Sequence, residues 1–126
     1  MKILENLLYT ENHEWVLVDR DFAIVGVTDY AQSELGDIVY VDIDTLDQQL
    51  VVGAIFGSVE AVKTVSDLFM PVTGKVVELN EKLESNPELV NQDPYGDGWI
   101  IKVELESDIH DKLLSSDEYK ELVGLS

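Results

Sequence analysis

The chain has 126 residues, 45% of them apolar, which suits one domain built around one core. Its formal net charge is -18, a surface that repels nucleic-acid phosphates and anionic membranes, and no apolar run approaches the roughly 20 residues needed to span a bilayer. There is no cysteine, which excludes disulfides, thiolate metal sites and a cysteine nucleophile.

The first residues, Met1-Lys2-Ile3-Leu4-Glu5-Asn6, follow neither a secretory nor a transit pattern, so the expected location is the cytoplasm. Tyr9 to Asp19 reads as a strand, with Trp15, Val16, Leu17 and Val18 as good β-formers. Asp19-Arg20-Asp21 turns the chain into a second strand, Phe22 to Val27. Thr28 is placed to cap a short helix from Asp29 to Leu35, and Gly36 to end it. Asp37 to Ile43 alternates as a strand does. Val51 to Gly53, Ala54 to Glu60, Asp67 to Met70 and Gly74 to Leu79 then form short β-type runs punctuated by Gly and Pro, the pattern of a small sandwich or barrel.

Trp99 to Leu105 is the last expected strand, entered from the turn-rich segment Asn91 to Gly98. A helical turn is expected from Ser107 through Leu114. Ser115 and Glu118 then have capping-box spacing, Tyr119, Leu122 and Val123 share one face, and Gly124 stops the helix. Trp15, Tyr40, Phe56, Phe69 and Trp99 fall in strands and read as core.

Neither histidine makes a strong site. His13 precedes Glu14, but neighbours in a strand point to opposite faces, so a joint acid–base role is disfavoured. His110 reads as solvated, and no histidine cluster has metal-ligand spacing. Neither a phosphate-binding glycine loop nor a nucleophile elbow is present.

Lys63 stands apart from the other lysines. It lies in Val59-Glu60-Ala61-Val62-Lys63-Thr64-Val65-Ser66, between two β-type runs, where a hairpin tip would fall. A lysine at a tip is ordinarily solvated charge and nothing more. The flanking residues add to this: Glu60 stands three before it, Gly57 six before and Gly74 eleven after. Glycines there would let strands pack closely as they leave the tip. Gly74, after Pro71-Val72-Thr73, reads as a turn glycine with positive φ.

This segment resembles the lipoyl-attachment motif, in which an acidic residue three before the lysine and a glycine eleven after it recur. Biotin carriers share the fold but usually flank the lysine with methionine, where this chain has Val62 and Thr64. The resemblance narrows to the glycine cleavage H-protein family through His13-Glu14-Trp15, Gly26 to Gln32, Leu35 to Val39, Gly57 to Lys63, Pro71 to Gly74, Asn86 to Asn91 and Pro94 to Trp99, in family order over nearly the whole chain. Two departures stand out: Ala61 occupies a position usually held by serine, and Ile43 to Gln49 lacks the usual proline and glycine.

The resemblance implies a mostly β fold, a barrel-sandwich hybrid of the lipoyl-domain type with short helices including one at the C-terminus, over residues 1–126 as a single lipoyl-carrier domain. It implies lipoic acid joined covalently to Lys63 and a carrier that itself catalyses nothing. The implied partners are glycine decarboxylase, aminomethyltransferase, dihydrolipoyl dehydrogenase and a lipoate-attaching enzyme. Glu60 is the expected recognition residue. Glu14 and Asp67 are candidates to receive a loaded, cationic arm. The alternatives are a lipoyl donor in a relay to 2-oxoacid dehydrogenases, a biotin carrier, and an unmodified interaction domain.

Overall fold

The computed structural model describes residues 2–106 and 113–124. Its order is β1 (Leu8–Tyr9), β2 (Glu14–Asp19), β3 (Phe22–Val27), α1 (Asp29–Leu35), β4 (Ile38–Asp42), β5 (Gln49–Leu50), β6 (Ile55–Ala61), β7 (Val65–Phe69), β8 (Gly74–Leu79), α2 (Lys82–Ser85), α3 (Leu89–Gln92), β9 (Ile101–Leu105) and α4 (Ser116–Val123). One sheet runs β1-β2-β3-β9-β8-β5 and the other β4-β6-β7, and neighbouring strands pair antiparallel. The main core, including Val16, Val25, Phe56, Val59, Val76 and Val103, draws on both sheets. This is the mostly β barrel-sandwich architecture expected. Among the described residues no helix is long and apolar enough to cross a membrane.

Local chemistry explains most of the elements. Asp19 pairs with Phe22, which leaves Arg20-Asp21 as a two-residue turn, with Arg20 at φ 59°. Thr28 caps α1 by accepting from the Ala31 N–H at 3.1 Å, and Gly36 leaves the helix at φ 82°. Ser115 and Glu118 form the expected reciprocal box, and Gly124 ends α4 in the left-handed region.

A second cluster, Leu7, Tyr9, Trp15 and Tyr119, covers part of the six-stranded sheet away from the main core. Trp15 and Val16 point to opposite faces of β2, yet both are buried, because α4 covers one face through Tyr119. Tyr119 stacks on Tyr9 with ring centroids 4.6 Å apart. Its hydroxyl makes hydrogen bonds with Thr28 Oγ1 at 2.7 Å and His13 Nδ1 at 2.8 Å. His13 therefore helps dock the last helix.

Several expectations need correction. The run from Tyr9 to Asp19 is two strands, because the chain turns at residues 10–13, where His13 sits at φ 65°. Val51 to Gly53 is a turn with Gly53 at φ 89°, and β5 ends before it at Leu50. Tyr40 is 51% exposed and outside the core, because β4 carries an irregularity between Ile38 and Tyr40 that resets its facing. Leu122 is also exposed, since the sheet receives only the Tyr119 side of α4. The helices α2 and α3 were not expected. Of the turn expected from Ser107, residues 107–112 with His110 lie outside the described residues, and Leu114 forms an extended bridge to Tyr9.

Gly74 also departs from expectation. It opens β8, paired with Leu50 and Leu105, and it is not among the residues with positive φ. A methyl group there would overlap the carbonyl oxygen of Glu104 and sit 2.6 Å from Val103 Cγ1. The glycine serves a close approach of β8 to β9 and lies outside the lysine hairpin. Gly57 does serve a close approach, but to the end of β4 and not between the two strands that leave the tip: an added Cβ would collide with Ile43 and lie 2.6 Å from the Asp42 carbonyl oxygen.

Candidate functional site

Strands β6 and β7 form a hairpin whose last pair is Glu60 with Val65, and Val62 to Thr64 connect the two strands. The Ala61 N–H donates to the Thr64 carbonyl at 2.7 Å, which closes the turn tightly. Lys63 is exposed at its tip, between Val62, 71% exposed, and Thr64. Among the described residues its ammonium makes no ion pair and no hydrogen bond; the one ion pair is between Lys82 and Asp97. An extended chain carrying a lysine at a closed turn presents the amine well clear of the body.

The tip is braced from below. The Val62 N–H donates to the Asp37 carbonyl at 3.1 Å, just before β4. The segment at Asp37 is held in turn by Asn91 on α3, whose side chain accepts from the Ile38 N–H at 2.8 Å and donates to the Gly36 carbonyl at 2.8 Å. Asn91 is a positioning residue that the sequence reading passed over, because a four-residue helix gives almost no periodic signal.

Glu60 and Asp67 share the outer face of the hairpin. Val59 and Ala61 point into the core, so Glu60 points out, and Asp67, opposite Ser58, does the same. Both carboxylates are exposed and stand on the strands that carry Lys63.

Glu14 is placed quite differently. It is 1% exposed at the start of β2. Its carboxylate accepts from the Phe69 N–H at 2.7 Å and from the Thr10 hydroxyl at 3.2 Å. Burial pushes its pKa up from 4.5 to about 7, against the lowering effect of those two donors. It borders a cavity of about 330 Å³ lined also by Asn12, Val52, Met70 and Leu113. Phe69 ends the strand that begins two residues after Lys63. The three residues therefore lie in order along β7: Lys63 at the tip, Asp67 next, and Glu14 at the far end, roughly 20 Å from the tip at strand spacing. The structure puts Glu60 and Asp67 on the hairpin that carries the lysine and leaves Glu14 apart from them. Among the described residues no group of acidic and histidine side chains could hold a metal ion.

Residues 7–124 match the family model described as glycine cleavage H-protein. The glycine cleavage system H protein of Bacteroides thetaiotaomicron is 52% identical over 125 residues, covering 98% of this chain and 99% of that one. The protein of the same name from Bacteroides fragilis is 53% identical over the same shares. A crystal structure of a glycine cleavage system H protein from Mycobacterium marinum superposes with a TM-score of 0.90 at 34% identity, covering 98% of this chain and 100% of that one. Motif order, sheet topology, the lysine at the hairpin tip and these matches agree, and the chain belongs to the glycine cleavage H-protein family.

Proposed function

We propose that the whole chain works in the cytoplasm as a non-catalytic lipoyl carrier, with lipoic acid in amide linkage to Lys63. The observation that carries this reading is the isolated lysine on a closed, braced tip. The residues fit the group: an exposed primary amine with no partner among the described residues can attack an activated lipoyl carboxyl. The amide forms, the activating group leaves with its electron pair, and the amine's proton passes to solvent. When bound, the lipoyl disulfide supplies the chemistry by which glycine decarboxylase would load an aminomethyl group, aminomethyltransferase would remove it, and dihydrolipoyl dehydrogenase would restore the oxidised form.

The chain's own part is mechanical and electrostatic. The hairpin holds one end of a long flexible arm and so raises its effective concentration at each partner site. Asp67, exposed on the hairpin, and Glu14, buried where β7 ends, are the carboxylates proposed to meet a protonated amine laid back against the body. Glu60, on the tip's outer face, is the recognition charge.

Intact mass of protein from lipoate-supplied cells tests the reading. The parent should gain one lipoyl group and Lys63→Arg none. A lipoylated Lys63→Arg variant would show that another amine is used.

A further inference from the structure

The outer face of the three-stranded sheet beside Lys63 has an order that depends on the irregularity in β4. Ile38 pairs with Ala61, but Tyr40 pairs with Glu60 and Val41 with Val59, so Val39 is the extra residue. Without it, Tyr40 would oppose Val59 and point into the core; with it, Tyr40 points outward. Cross-strand partners share a face, so the row nearest the tip reads Tyr40, Glu60, Val65, and the row behind it Asp42, Ser58, Asp67. Tyr40 is 51% exposed and Val65 61%, and Val39 and Val62 add further exposed apolar surface. Glu60, Asp42 and Asp67 are exposed carboxylates within this patch, and the one cation in the two rows and the adjoining tip is Lys63 itself.

The geometry points to this face as the docking surface for the lipoate-attaching enzyme, through a complementary patch of apolar residues flanked by lysine or arginine. The inference rests on the proposed modification of Lys63. An enzyme acting on the bare lysine has only a four-carbon side chain between its active site and the protein, so its rim must lie against the tip. The later partners are met through the full length of the arm. An exposed tyrosine beside two valines supplies the apolar anchor, the three carboxylates supply steering and register, and the absence of a competing cation keeps the field one-signed. The β4 irregularity thus turns a residue of core type into a recognition residue.

The test is steady-state lipoylation of the unmodified full-length chain by a purified lipoate ligase with lipoate and ATP, read by intact mass. Tyr40→Ser should lower kcat/KM about tenfold, through KM and with kcat nearly unchanged, as expected for loss of an interface anchor. Tyr40→Phe should restore it. Val51→Ser, at another exposed apolar position, should behave as the parent. The Asp42→Asn, Asp67→Asn double variant should show a weaker salt dependence of kcat/KM than the parent. A parental KM for Tyr40→Ser overturns the proposed surface while leaving Lys63 as the site. If the parent gains no mass, the carrier reading falls and the surface with it. If the parent sediments as a dimer and Tyr40→Ser as a monomer, the face belongs to a second copy of this chain, which also overturns the proposal.

Discussion

The Phe69 N–H donates to the Glu14 carboxylate at 2.7 Å, so the first long strand of the six-stranded sheet holds the edge strand of the lysine hairpin. A strand edge left open is a template for unwanted pairing, and a buried carboxyl occupies one of its donors here. The same bond places a carboxyl whose pKa burial raises at the end of the strand that leads to Lys63.

That position makes stability depend on pH in a definite direction. The folded-state pKa of Glu14, about 7, lies above its ordinary 4.5, so the native protein holds more protons than the unfolded chain between those values. This carboxyl's contribution therefore falls as pH rises through the window, by roughly 3 kcal/mol in full. Glu14→Gln keeps an acceptor for Phe69 and removes the titration. Urea denaturation at pH 5 and pH 8 should show the variant gaining stability relative to the parent as pH rises. A constant difference would place Glu14 in water.

Glu60 is exposed, and its contact partners are across-strand neighbours on the surface. Glu60→Gln should leave the thermal midpoint within about 2 °C, as for most surface substitutions. It should slow lipoylation or turnover with the partner enzymes several-fold, read by intact mass or by coupled assay. A large loss of midpoint would make Glu60 structural.

Gly74 and Gly53 separate two reasons for glycine. Gly74 has a backbone carbonyl where a Cβ would sit; Gly53 has φ 89° and open space around it. Gly74→Ala should cost roughly 1–3 kcal/mol by overpacking, and Gly74→Val more. Gly53→Ala should cost about 1 kcal/mol through its backbone alone, and Gly53→Asn less, because asparagine tolerates the left-handed region. Thermal melts of the four variants check the order, and the lipoylated fraction of the Gly74 variants should fall with their stability. Equal melts for Gly74→Val and the parent would remove the close-approach explanation.

Tyr119→Phe keeps the stack on Tyr9 and deletes a buried hydroxyl shared by Thr28 and His13. The expected loss is about 1–2 kcal/mol, because partners of a buried hydrogen bond are left unmet. Hydrogen exchange should show the loss concentrated in α4 and around β1. A parental melt would mean that water replaces the hydroxyl.

What the sequence by itself determined is whatever depends on neighbours in the chain. The Thr28 and Ser115 caps, the Gly36 and Gly124 stops and the Arg20-Asp21 turn are short-range chemistry, and each formed where its residues stand. Lys63 at a hairpin tip follows from two β-type runs with little between them. The tertiary structure decided what depends on a partner distant in sequence. Tyr40 was read as core because it is an aromatic residue in a strand, and only pairing with β6 reveals the extra residue that turns it outward. Gly74 was read as a turn glycine because its obstacle, Glu104, is thirty residues away on β9. Glu14 looks like any strand carboxylate until Phe69 and the surrounding core remove it from water. Burial and cross-strand register are sums over distant contacts, and a chain read one neighbour at a time carries no record of them.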